Sequence, residues 1–332
     1  MFTLHQCATR TVTAVCFALV SIWPVGVAAQ TARIQLVPLP SKTLTDQQVL
    51  SGRAQAAPAV VLAAELRLPA PTGGKLPAIV MLHGSGGISG NVDEWAQKFV
   101  AMGIATLVVD SFSGRGIAST VADQDQLGRL SAVVDAYRAL EFLARHPAID
   151  PQRVAIMGFS RGAQAAVYSS MQRLYRLHEP VNDLRFAVHI GMYTPCGTTY
   201  LGDYDVINRP IRLFHGGADD YVPGAPCKAY AVRLQQQGRD VAYTEYAGAH
   251  HVFDWPLLQS PMRLANAQVT ANCVLSESSE HSLIDAVNDQ PFLASKASCA
   301  TRGATVAYDA MAHRESLKAV QGLLEQTLLN KK

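Results

Sequence analysis

The sequence predicts an α/β fold: a mostly parallel central sheet covered by helices on both faces. Two observations carry this expectation. Short, dense apolar runs alternate with segments of helical periodicity, the order that builds strand-helix-strand crossovers. The runs are also apolar at consecutive positions rather than at every second one, as strands covered on both faces require.

The elements follow in order. Residues 1–29 combine a short, weakly basic start closed by Arg10, an apolar stretch and small residues at Val27, Ala28 and Ala29, the pattern of a cleaved export signal. Pro24 interrupts that stretch, which is short for a bilayer span, so no stable membrane insertion is expected after cleavage and the mature chain is expected in a periplasm or outside the cell. Residues 30–58 are polar and punctuated by proline, and read as a segment that wraps the domain. Val60 to Pro69 reads as an edge strand, 78–82 as a buried strand, 92–102 as a helix and GIATLVVD as the next buried strand.

A helix is expected from Asp123, where Gln126 completes a capping-box spacing, through Leu127, Leu130, Val133, Val134, Tyr137 and Leu140 to Pro147. RVAIM is a strand and GAQAAVYSSMQRLY a helix. RFAVHI and PIRLFHG are strands, followed by a helix from about Pro226 to Gln237, the strand VAYTEY and a final helix near 304–329. Residues 59–332 are thus expected to form one domain, with a loop elaboration at about 256–303 that is longer than an ordinary connection.

Composition narrows the function. The chain of 332 residues is 49% hydrophobic and 16% charged, which fits a packed globular protein and not a disordered one. A formal net charge of +2 without a basic cluster excludes a nucleic-acid groove. With Cys7 and Cys16 in the signal, Cys196, Cys227, Cys273 and Cys299 remain, an even number that suits an oxidising compartment. Of the three pairings, 196 with 227 and 273 with 299 are favoured, because each encloses a loop-rich stretch. No close CxxC pair exists, and neighbours His250 and His251 cannot both face one metal from regular backbone, so no metal is expected.

The chemistry-bearing stretch is RVAIMGFSRG, where a strand ends in Gly158, Ser160 and Gly162, a G-x-S-x-G pattern followed by a helix. A serine on such a strand-to-helix turn is presented for attack, and the glycines relieve the crowding around it. A hydroxyl needs a base, and the base an acid to orient it. FHGGADDYVP offers Asp219 and Asp220 after one strand, and YAGAHHVFD offers His250 and His251 after the next, giving the order serine, acid, histidine.

Taken together, KLPAIVMLHGSGG, VVDSFSGRG, RVAIMGFSRG, GGADDYVP, YAGAHHVFD and CATRGATVAYDA resemble the dienelactone hydrolase-like group of α/β-hydrolases over most of residues 60–330. The resemblance implies a D-x-x-x-P acid loop, which selects Asp219, and a G-x-x-H-x-F histidine loop, which selects His251. It implies a nucleophile at Ser160, where the family's best-known members carry cysteine, and an acyl-enzyme route needing no cofactor.

The oxyanion donors are expected at the backbone N–H of Arg161 and at Ser85 or Gly86 in HGSGG, a glycine cluster that lacks the Lys and Ser/Thr of a phosphate-binding loop. Arg115, Trp95 and Tyr193 are candidate substrate contacts, with Arg115 alternatively bracing Asp110, and the Arg161 side chain reads as exposed. The expected substrate is a small or aromatic carboxylic ester. Lactone hydrolysis, peptide hydrolysis and a silent binding role on the same fold stay open at this point.

Overall fold

The computed structural model describes residues 31–70, 73–178, 180 and 183–330. The expected export signal at 1–29 lies outside them. The main sheet has eight strands in the order β1-β2-β4-β3-β5-β6-β8-β9. These are β1 (Thr31–Lys42), β2 (Ala59–Pro69), β3 (Leu76–Leu82), β4 (Ala105–Asp110), β5 (Ile149–Phe159), β6 (His189–Met192), β8 (Ile211–Gly216) and β9 (Val241–Tyr246). β1 and β2 pair antiparallel, β2 joins β4 antiparallel, and every pairing from β4 to β9 is parallel. This is the α/β-hydrolase arrangement.

β3 shows why the sheet is buried on both faces. All seven of its residues are buried, with Ala78, Val80 and Leu82 in one apolar cluster and Ile79 and Met81 in the other. The first cluster holds side chains of α3 (Ser131–Arg145), α4 (Arg161–Tyr168), α5 (Gln172–His178) and α6 (Ala225–Gln236), and the second holds those of α2 (Gly90–Ala101) and α7 (Ala310–Leu324). Such a sheet gathers the loops at its strand C-termini along one edge, where ligands bind in open α/β sheets.

Four local expectations need correction. Val60 to Pro69 is not the sheet edge, because the proline-punctuated stretch before it forms β1, paired along its length with β2. Pro38 and Pro40 sit two residues apart in an edge strand, where a missing N–H does no harm. The helix expected from Asp123 begins at Ser131. The Asp123 side chain instead accepts the Asp125 N–H of a single 3₁₀ turn, Gln124–Gln126. The expected GAQAAVYSSMQRLY helix is broken between α4 and α5, and the final helix starts at Ala310, after a strand, β14 (Thr301–Val306).

The long connection after β9 folds against the strand ends. β10 (Met262–Val269) pairs antiparallel with β14, while β11 (Leu275–Glu277), β12 (Leu283–Asp285) and β13 (Gln290–Pro291) make a small sheet that joins β7 (Thr198–Thr199). Disulfides link Cys196 to Cys227 and Cys273 to Cys299. No described helix is long and apolar enough to cross a membrane.

Candidate active site

Ser160 stands between β5 and α4 with φ 51° and ψ −117°, a left-handed conformation that a non-glycine residue holds only when its surroundings impose it. They do so here. A Cβ on Gly158 would fall on the carbonyl oxygen of Gly162, and one on Gly162 would fall on that of Leu82, so strand and helix meet too closely for any side chain at either position. The Ser160 N–H donates to Met192 O at 2.9 Å, and its carbonyl accepts the Gln164 N–H at 3.1 Å.

The loops after β8 and β9 bring two more side chains to this point. His251 Nε2 lies 3.0 Å from Ser160 Oγ, and His251 Nδ1 lies 2.7 Å from Asp219 Oδ2. The other oxygen of Asp219 accepts the N–H groups of Tyr221 at 3.0 Å and Val222 at 2.8 Å. With one carboxylate oxygen held by two backbone donors, the second is aimed at the imidazole. His251 is buried, and its ring lies between Tyr193 and Tyr221, with centroids 4.5 and 5.0 Å away. A serine hydroxyl, an imidazole and a carboxylate in one hydrogen-bonded line can move a proton off the hydroxyl and stabilise the imidazolium that results.

Asp220 and His250 lie outside that line. Asp220 is exposed and accepts from Arg263, from the Thr305 N–H and from the Thr305 hydroxyl. His250 makes no contact with Ser160 among the described hydrogen bonds.

Ser85 and Gly86 border the hollow beside Ser160, and the backbone of Arg161 opens α4 at the same place. The peptide between Gly84 and Ser85 is oriented by His83. The Ser111 N–H donates to His83 Nε2 at 3.1 Å, so the ring proton sits on Nδ1, which donates to Gly84 O at 2.8 Å. Gly84 O also accepts the Gly87 N–H at 3.1 Å. Since C=O and N–H of one trans peptide point in opposite directions, the Ser85 N–H is turned away from His83. Burial pushes the His83 imidazole below its usual range and keeps it neutral.

Two of the candidate substrate contacts do not reach the hollow. Arg115 is buried in a two-pronged ion pair with Asp135, at 2.8 Å for each prong, and also donates to the carbonyls of Ser111 and Lys42; it braces Asp135, not Asp110. Trp95 is buried in α2 and donates its Nε1–H to Asp254 at 2.7 Å. Tyr193 does line the hollow, while its hydroxyl donates to Asp254 at 3.0 Å and accepts from Asn91. The Arg161 guanidinium is buried rather than exposed, donating to Leu127 O and to Gln124, and burial together with Arg129 lowers its pKa to about 10.

Sequence reasoning missed His83, Tyr221, Asp254 and Arg129. Of these, His83 carried a signal, since it directly precedes the glycine cluster in HGSGG. Asp254 is fully buried, which pushes its carboxyl up while Trp95, Tyr193 and Asn91 hold it down, the larger effect being burial.

Two hollows meet at Ser160. One, of about 260 Å³, touches His251 and is walled largely by apolar side chains including Phe159, Val252, Trp255, Leu258 and Leu264. The other begins as a passage of about 50 Å³ beside Ser160 and Arg161. Through shared walls at Arg129, Gln164 and Tyr221 it adjoins a cleft of about 350 Å³. No group of three or more His, Cys, Asp or Glu side chains able to hold a metal occurs among the described residues.

Comparison with known proteins agrees with this architecture. The chain is 30% identical over 166 residues to an uncharacterized protein of Mycobacterium tuberculosis, a match covering 47% of this chain and 57% of that protein's length. It is 32% identical over 97 residues to a polyketide transferase of Stachybotrys chlorohalonatus, covering 28% of this chain and 31% of the transferase. Among solved structures, a dienelactone hydrolase-like promiscuous phosphotriesterase from metagenomic libraries superposes with a TM-score of 0.54 at 18% identity, over 89% of this chain and 98% of the other, a likeness of fold. The sequence model of the dienelactone hydrolase family matches residues 62–274, well over half of the chain and the span that carries Ser160, Asp219 and His251, so the chain belongs to the dienelactone hydrolase family.

Proposed function

We propose that the protein is a serine hydrolase of small or aromatic carboxylic esters, exported to a periplasm or to the cell exterior. The observation that carries this reading is the unbroken line from Ser160 Oγ through His251 to Asp219, at 3.0 and 2.7 Å, with the serine on a strained turn at the mouth of an apolar hollow. Two disulfides support the export half of the reading.

The reaction runs in two halves. Ser160 Oγ attacks the ester carbonyl while His251 Nε2 takes its proton, and the carbonyl oxygen, now negative, receives hydrogen bonds from the N–H groups of Arg161 and Ser85. The bond to the alcohol oxygen breaks, and His251 returns the proton to that oxygen. Water then gives its proton to His251 and attacks the acyl-serine, and collapse of the second tetrahedral species releases the acid and restores the hydroxyl. Asp219 keeps the Nδ1–H tautomer in place and stabilises the imidazolium in both halves. No step calls for a metal or an organic cofactor.

The test is labelling of the purified protein by a fluorophosphonate together with hydrolysis of an aryl ester panel and matched amides. Labelling and ester hydrolysis that vanish in Ser160→Ala are expected. A folded wild-type protein that neither labels nor hydrolyses any ester would overturn the reading, and faster turnover of the amides would make it a peptidase.

A further inference from the structure

The two hollows at Ser160 differ in which partner of the reaction they touch, and this sorts the two halves of an ester between them. The leaving oxygen must be protonated by His251. His251 lines the apolar hollow and does not line the passage on the other side of Ser160. The alcohol or phenol therefore leaves through the apolar hollow, and the acyl chain, which stays bonded to Ser160 Oγ, runs along the passage into the larger cleft.

That cleft has a distinct chemistry. No Asp or Glu is among the described residues that line it or the passage, whereas Arg129 lines both and Arg233 lines the cleft. Arg233 already has Asp203 at 3.4 Å. Arg129 Nη2 is buried and has no hydrogen-bond partner among the described residues. The guanidinium carbon lies 5.3 Å from the centre of the Phe292 ring, and the nearby Asp125, whose carboxyl feels the Arg129 charge, spends its hydrogen bonds on the N–H groups of Ala294 and Ser295 at 3.0 and 2.8 Å. Arg129 as a whole is only part-buried and lines both hollows, so its positive charge, with no carboxylate hydrogen-bonded to it among the described residues, stands at the cleft wall, and a guanidinium fork suits a carboxylate. Cys196 and Cys273 both stand in the cleft wall, so each disulfide fixes one side of it in advance of binding.

We propose that this cleft is an acyl-side anion subsite, so that the preferred substrates are esters of an apolar alcohol or phenol with an acid that carries a second carboxylate, received by Arg129. The inference rests on the ester hydrolase reading and assigns the orientation of its substrate.

The experiment compares phenyl hydrogen adipate with its neutral primary carboxamide, following phenol release. The reversed pair is 4-carboxybutyl benzoate and its carboxamide, followed by benzoate release. Within each pair the scissile bond is the same, so the ratio of kcat/KM, charged over neutral, isolates the charge. For the adipate pair a ratio of about ten or more is expected, the scale of one charge-assisted hydrogen bond, and for the reversed pair a ratio of one or below. In Arg129→Met the adipate ratio falls to near one, and Arg129→Lys restores part of it. An adipate ratio near one in the wild type, a higher ratio for the reversed pair, or an adipate ratio that survives in Arg129→Met would each overturn the proposal. The wild-type ratios need no variant to fold. Failure of the underlying reading would look different, because then neither pair would be hydrolysed above the Ser160→Ala background.

Discussion

Asp219→Asn replaces one carboxylate oxygen with NH2 and sets two demands against each other. Asp219 Oδ1 accepts two backbone N–H groups, from Tyr221 and Val222, while Oδ2 accepts His251 Nδ1–H. An asparagine can place its single oxygen at only one of these sites. If the oxygen faces His251, the amide NH2 confronts two buried N–H donors, each left unsatisfied at about 1–3 kcal/mol. If the oxygen keeps those two donors, the NH2 faces His251 Nδ1, which must then accept. The second arrangement satisfies more donors and prevails, and it moves the imidazole proton to Nε2, facing Ser160 Oγ. The base is then protonated where it must take a proton, and kcat is expected to fall about 10⁴-fold, with KM changed little. Steady-state hydrolysis of an activated aryl ester measures the loss, and the thermal transition and circular dichroism of the variant establish that it is folded. Folded Asp219→Asn protein retaining activity within about tenfold of wild type would show that the tautomer of His251 does not limit the reaction.

Three other expectations follow from buried groups. His83→Phe removes the donor that fixes Gly84 O, so kcat should drop by about 10²-fold with a smaller change in KM, and affinity for a boronate mimic of the tetrahedral species should fall in parallel. Arg115→Met strands the buried Asp135 carboxylate and should cost about 3–5 kcal/mol in urea unfolding, while the folded fraction keeps the wild-type kcat. His189 and His215 are buried with pKa values lowered to about 4 by desolvation, so between pH 4 and 6.5 the unfolded chain binds protons that the folded one does not. Stability is therefore full above pH 6.5 and declines as pH falls towards 4, by about 3 kcal/mol for each histidine at the limit, which urea midpoints at pH 7 and pH 5 will reveal.

The sheet was legible because its signal is local: the dense runs at 76–82, 105–110 and 154–159 are strands whichever helices cover them. Loop motifs were legible for the same reason, since each places its residue at a strand end. What escaped were features whose cause lies elsewhere in the chain. β1 has two prolines and reads as loop until β2 is there to pair with it. The helix after Asp123 starts late because Gly128 passes against the backbone of Leu44 to Asp46, a crossing no window around residue 128 contains. Arg115 is assigned by Asp135, 20 residues on, and Trp95 by Asp254, 159 residues on. A long polar or aromatic side chain in a loop looks like a substrate contact until its buried partner is known.

The architecture separates chemistry from selection. Ser160, Asp219 and His251 stand on loops after β5, β8 and β9, all within the span shared with the family, residues 62–274. Each is held by contacts of its own: the serine by the glycine-packed turn, the aspartate by two N–H groups, the histidine by two tyrosine rings and by its carbonyl, which accepts the Ala307 N–H at 3.2 Å. The passage and cleft draw in addition on the connection after β9. Gln268 and Thr270 close the passage, and residues 270–275 form one wall of the cleft, within an elaboration that runs past the family span to β14. These positions can vary without moving the hydrogen-bonded line, because none of that line's hydrogen bonds ends on them. On the proposed reading, substrate preference is set where the disulfide-tied segment meets Arg129, and the rate of the acyl transfer where three strands end.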